Sequence, residues 1–191
     1  MISKLIRDND IEKLTELLAA GELDVNLQNE NGYEPLHTAV INRNEAIIEL
    51  LLANGANINS PNKFKNTALH MAANEEFADI VSLLLTYEPD LEIKGLDDYT
   101  PFHYAASKRN IPIMKLLLAH GADINTQDDE GTTPIHTSIV NFNGQAISIE
   151  AIKFLLENGA DASLQDTYGG TLHQHLAAPF YKDVKPLFEK V

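Results

Sequence analysis

The chain has 191 residues, 44% of them apolar, with no cysteine and 14 basic against 28 acidic side chains, giving a formal net charge of -14. That length and apolar share suffice for the core of one domain, and the missing cysteines exclude disulfides, thiolate nucleophiles and cysteine-based metal sites. The charge balance disfavours nucleic acid and anionic membrane surfaces, which ask for a basic stripe, and would steer a basic segment of another protein toward this one.

The first residues carry two apolar stripes, Ile2, Leu5 and Ile6, then Ile11, Leu14, Leu17 and Leu18, and close at Gly21 and Asp24-Val25-Asn26. This spacing predicts two short helices, each with one buried face. No long apolar run accompanies them, so neither a signal peptide nor a membrane span is expected and the reading is a soluble, cytoplasmic protein. From Tyr33 onward the chain repeats itself. Glu34-Pro35-Leu36-His37, Thr67-Ala68-Leu69-His70, Thr100-Pro101-Phe102-His103 and Thr133-Pro134-Ile135-His136 stand 33 residues apart, start to start. An apolar run and a polar close follow at a fixed offset, as in Leu50-Leu51-Leu52 with Gly55-Ala56-Asn57-Ile58-Asn59 and Leu116-Leu117-Leu118 with Gly121-Ala122-Asp123-Ile124-Asn125. Such self-similarity marks a stacked array, whose units bury their apolar faces only on one another. The chain then reads as a single domain, 1–191, with full units at 33–65, 66–98, 99–131 and 132–169 between modified ends at 1–32 and 170–191.

Within a unit the residue types follow from local chemistry. Thr67, Thr100 and Thr133 sit where a hydroxyl caps a coming helix, and Pro101 and Pro134 sit in its first turn, where a missing N–H does no harm. Leu36, Leu69, Phe102 and Ile135 point into the stack, while Ala39, Ala72, Ala73, Ala105 and Ala106 let helices approach closely. Second helices carry stripes such as Ile80, Val81, Leu84 and Leu85, or Ile113, Met114, Leu117 and Leu118. Gly55, Gly121 and Gly159 end those helices where a left-handed residue is wanted. In the third unit Glu88-Pro89 replaces Gly-Ala, which predicts local strain or a rerouted turn.

The step from Thr133 to Thr171 is 38. The five extra residues lie around Phe142 to Ser148, either a tolerated surface insertion or a partner contact through Phe142 and Ile147. Beyond Thr171-Leu172-His173-Gln174-His175, the residues Val184, Leu187 and Phe188 fall in register with Ile80, Leu83 and Leu84, so 170–191 reads as a degenerate final unit.

The Thr-Pro-Leu-His signature, the Leu-Leu run and the Gly-Ala-Asp-Ile-Asn close resemble the ankyrin repeat family over nearly the whole chain. The resemblance implies an all-α solenoid of stacked helix-turn-helix units with projecting hairpin-like loops, and histidines that bond backbone and brace adjacent repeats. One histidine per layer makes a ladder rather than a convergent metal site. His173 and His175 lack an obvious third ligand. No catalytic motif and no phosphate-cradling loop appears, so no cofactor and no enzymatic activity are expected.

In the family, partners dock on the concave side, built from loop tips and the exposed face of the first helix. By register these positions are Glu30, Asn31, Tyr33, Ile41 and Asn42, then Lys63, Phe64, Asn66, Asn74 and Glu75. They continue with Leu96, Asp97, Tyr99, Ser107 and Lys108, then Asp129, Glu130, Thr132, Val140 and Asn141. Tyr33, Phe64, Leu96 and Tyr99 put large apolar groups on the tips, with Tyr104 beside them and Tyr168 further along. Such side chains are interface anchors unless each packs on its own loop. If Phe64 and Tyr99 are anchors, replacing both abolishes capture without touching stability. Asp97-Asp98, Asp128-Asp129-Glu130 and Asp166 form an acidic edge, either a solvated face or a complement to Lys or Arg on a partner. The expected function is a monomeric, non-catalytic protein-interaction module: adaptor, inhibitor or host-directed binding factor. The alternative is a substrate of an asparaginyl hydroxylase, because the family's Leu-x5-Asp-φ-Asn pattern is similar to Leu18…Asp24-Val25-Asn26 and Leu117…Asp123-Ile124-Asn125, with Asn57 replacing the acid before Asn59.

Overall fold

The computed structural model describes residues 1–139 and 149–175. Among them five helix pairs follow in sequence: α1 (Ile2–Arg7) with α2 (Ile11–Ala19), α3 (Pro35–Ile41) with α4 (Glu45–Ala53), α5 (Ala68–Asn74) with α6 (Ala78–Leu85), α7 (Pro101–Ser107) with α8 (Ile111–Ala119), and α9 (Pro134–Ile139) with α10 (Ile149–Glu157). A short α11 (Leu172–His175) comes after them. The insertion with Phe142 and Ile147, the register positions Val140 and Asn141, and the stripe Val184, Leu187 and Phe188 lie outside the described residues.

Helices of six to nine residues are too short to persist alone in water, so packing must hold them. The first helices α1, α3, α5, α7 and α9 lie side by side, and each rests on the second helix of its pair. Ala39, Ala72, Ala73, Ala105 and Ala106 are fully buried between them, as are Leu36, Leu69, Phe102 and Ile135. One continuous core therefore runs through the stack.

Three ladders of polar contacts tie unit to unit. The first runs through the histidines. Nδ1 of His37, His70, His103 and His136 accepts the N–H of the capping residue three positions earlier, at 3.1–3.2 Å. This leaves the proton on Nε2, which donates to the carbonyl of Asn66 from His37 (3.2 Å), of Tyr99 from His70 (3.0 Å) and of Thr132 from His103 (3.3 Å). The rings of His37, His70 and His103 thus each close their own helix start and hold the next loop. The second ladder uses the polar close: side-chain oxygens of Asn26, Asn59, Glu92 and Asn125 accept the backbone N–H of Asn57, Asp90, Asp123 and Asp161 at 2.8–3.0 Å.

The third ladder occupies the turns between paired helices, where Asn9, Arg43, Glu76 and Arg109 have φ of 54, 50, 62 and 57°. From there Arg43 makes a close ion pair with Asp79, 2.7 Å from Nη2, and Arg109 donates from Nε to the Ser138 carbonyl at 3.2 Å. Polar sequence alone gave no warning that these positions are left-handed.

The third helix end keeps its left-handed turn without glycine. Glu88 has φ of 52°, against 86°, 92° and 96° at Gly55, Gly121 and Gly159. A side chain costs about 1–2 kcal/mol in that region, and the following proline restricts Glu88 further. Glu88→Gly is expected to raise stability by about 0.5–1 kcal/mol after allowing for glycine's freedom in the unfolded chain, read as a higher urea midpoint with the same slope.

Burial pushes the pKa of His70 and of His103 down to about 4, against an ordinary 6.5, and lowers that of His37. The unfolded chain therefore takes up these protons first as pH falls. Their contribution to stability is complete above pH 6.5 and is lost progressively between 6.5 and about 4. Denaturant midpoints measured across that interval are expected to fall steeply, and to be flat just above it.

Candidate docking surface

The tips are built on a side-chain oxygen that accepts two backbone amides. Asn29 Oδ1 takes those of Asn31 and Tyr33 (2.9 and 3.0 Å), Asn62 Oδ1 those of Phe64 and Asn66 (2.8 and 3.1 Å). Asp128 Oδ1 takes those of Glu130 and Thr132 (2.9 and 2.8 Å), and Asp166 Oδ1 those of Tyr168 and Gly170 (2.9 and 2.8 Å). The short polar side chain mimics a backbone turn and fixes the tip.

This geometry corrects the acidic edge. Asp128 and Asp166 are buried, each 8% exposed, and serve the turns. Asp98 faces Lys65 Nζ at 3.7 Å and Lys94 Nζ at 3.8 Å. Asp97, Asp129 and Glu130 remain exposed.

The apolar tips divide in two. Phe64 is 50% and Leu96 46% exposed, with Tyr168 at 85% and Ile41, at the end of α3, at 49%. Tyr33 is half-buried, edge-on to His37 with centroids 5.9 Å apart. Tyr99 is also half-buried: it stacks on His103 at 5.1 Å and meets Tyr104 edge-on at 5.6 Å. Tyr104, on α7, touches His70 edge-on at 6.0 Å and donates from its hydroxyl to Asn66 Oδ1 at 3.3 Å. Lys108 is exposed just beyond α7. The packed tyrosines are therefore continuous with the histidine ladder, and Tyr99 is no free anchor.

The Tyr99 phenol is pushed up to about 12, by burial first and then by the charges of Asp128, Asp97 and Glu130. Carboxylates of the third and fourth tips thus disfavour a further negative charge at this hydroxyl. Among the described residues no three His, Asp or Glu side chains gather as a metal site, and no helix is long and apolar enough to cross a membrane. An open hollow of about 610 Å³ lined by Lys115, Leu118, Ala119, Phe154, Glu157 and Asn158 belongs to the second helices α8 and α10, not to the tips. No sequence pattern marks it, since its lining comes from two successive units.

A family model of ankyrin repeats matches residues 2–95 and 79–166, in three copies. The chain belongs to the ankyrin repeat family. Its fold is similar to the crystal structure of EF0377, an ankyrin repeat protein, with a TM-score of 0.88 and 27% identity over 99% of this chain and 96% of that one. No curated protein matches it. With 636 chains of solved structures also matching, the ankyrin fold by itself selects no particular partner. Ankyrin repeats are generally protein–protein interaction modules and are typically non-catalytic.

The two classes of tip residue are separable by experiment. In this ankyrin array Phe64→Ser with Leu96→Ser is expected to leave the melting temperature within about 2–4 °C, since each exposed substitution shifts stability by at most about 0.5 kcal/mol. Tyr99→Ser, by contrast, removes ring contacts with His103 and Tyr104 and is expected to cost about 1–3 kcal/mol.

Proposed function

We propose that this protein is a non-catalytic interaction module, a cytoplasmic monomer without cofactor, whose second to fourth tips dock a partner protein carrying Lys or Arg. The observation that carries the reading is a juxtaposition. Phe64 and Leu96 expose apolar side chains on neighbouring tips, the Tyr99–Tyr104 pair opens the next full unit, and Asp97, Asp129 and Glu130 are exposed on the third and fourth tips. An apolar centre with a charged rim is the pattern of a protein interface, the centre giving affinity and the rim giving rate and register. Tyr33 and Lys108 extend the surface at its margins. The aromatic pair is stiffened by its histidine contacts, so little side-chain freedom remains to be lost on binding.

The reading of Asn26 and Asn125 as hydroxylase substrates has less support. Both side chains are engaged at each end: Nδ2 donates to the carbonyls of Gly55 and Gly159 at 3.2 and 3.1 Å while Oδ1 accepts from the next unit. Bracing the stack accounts for asparagine at both positions.

Affinity capture from the native cell tests the proposal. Phe64→Ser with Leu96→Ser should abolish capture of partners held by the wild type at nearly unchanged melting temperature. Asp97→Asn with Glu130→Gln should weaken it at low salt and progressively less as salt screens the rim. Capture indifferent to both pairs of substitutions would place the docking surface elsewhere.

A further inference from the structure

We infer that Asn66 is the positioning residue of this docking surface: one side-chain oxygen on the second tip sets the third tip and Tyr104 against each other. The inference rests on the docking reading above and names what holds that surface in shape. Positions 29, 62, 95, 128 and 166 are equivalent in the repeat and hold Asn, Asn, Gly, Asp and Asp. Only the third tip lacks the side-chain oxygen that anchors the others. Gly95 has φ of -88°, so glycine is present for space rather than for a left-handed backbone. A Cβ there would lie 2.3 Å from Asn66 Oδ1 and 2.9 Å from the His70 ring. A side chain at 95 and Asn66 in its present position exclude one another.

Asn66 Oδ1 occupies the space that a side chain at 95 would take and holds the tip at a different amide from those the other anchors use. It accepts the Leu96 N–H at 3.2 Å and the Tyr104 hydroxyl at 3.3 Å. The third tip then continues through two left-handed residues, Asp97 at φ 57° and Asp98 at 55°. The equivalents of Asp97 in the other tips, Asn31, Phe64, Glu130 and Tyr168, are absent from the positive-φ residues. A left-handed non-glycine residue persists only where its surroundings over-determine it. Here the surroundings include an oxygen contributed by the preceding unit. Leu96 (apolar), Asp97 (acidic) and Tyr104 (aromatic) are therefore placed by one atom, which lies outside the tip it organises. Released from it, the tip would have to be ordered at the moment of binding, and affinity would fall.

Two measurements decide the matter. In the first, backbone amide exchange is followed in the wild type, Asn66→Ala and Asn66→Asp. Exchange is expected to quicken at Leu96 to Tyr99 in Asn66→Ala alone, with the tips at Asn29 and Asp128 unaffected, and to be restored in Asn66→Asp, whose carboxylate still accepts both hydrogen bonds. Unchanged exchange at the third tip would overturn the inference, and so would uniform quickening at all tips, which is the mark of a merely structural residue. In the second, a fluorescein-labelled hexa-arginine peptide is titrated at about 0.15 M salt with Asn66→Ala, Asp97→Asn and the double variant. Each single change is expected to weaken binding about fivefold, and the double variant no more than either, because Asn66 acts through the placement of Asp97. Additive losses would overturn the positioning role. If the wild type fails to bind hexa-arginine at all, the basic partner of the docking reading falls, and the exchange result alone decides whether Asn66 positions the third tip. Normal peptide binding with unchanged exchange removes Asn66 alone.

Discussion

The fold depends on a bond that faces two ways. Each histidine of the repeat accepts the amide of its own helix cap through Nδ1, and in the first three full units donates from Nε2 to a carbonyl in the following unit. The first contact starts a helix too short to start itself, and the second fixes the loop against which the next unit is laid down. Because the ring must be neutral to do both, burial that keeps it neutral is part of the design, and local capping and stacking cannot be lost separately.

That coupling also explains where variation is tolerated. Residues that face the core or enter a ladder are constrained by two neighbours at once, whereas the outer side chains of a tip answer only to solvent or to a partner. Phe64 and Leu96 occupy such positions and are exposed. Tyr99 directly precedes the cap Thr100, closer to it than Phe64 or Leu96 stands to its own cap, and there the ring falls onto His103 and Tyr104. A shift of two or three positions along the tip separates a surface residue from an extension of the core.

Much of this was legible in the sequence. The 33-residue step gives the stack, the Thr-Pro-x-His start gives the first helices, and the Leu-rich runs give the second. Glu88 announced itself as a departure, and the structure places it in the left-handed region its glycine equivalents occupy. The left-handed turns at Arg43, Glu76 and Arg109 were not legible, because polar residues in a turn carry no sign of φ. Nor was the division of the carboxylates: Asp128 and Asp129 are adjacent and chemically identical, yet one is buried in a turn and the other exposed.

The sequence by itself therefore determined the family, the period, the helix starts and the core, since each rests on residue types recurring at fixed offsets. Tertiary structure alone decided which side chains of a tip are free. Asn66 reads as a variable polar residue until the fold brings its oxygen to Leu96 and Tyr104, 30 and 38 residues away. Contacts between units depend on how two loops meet in space, and no pattern within one unit encodes that meeting.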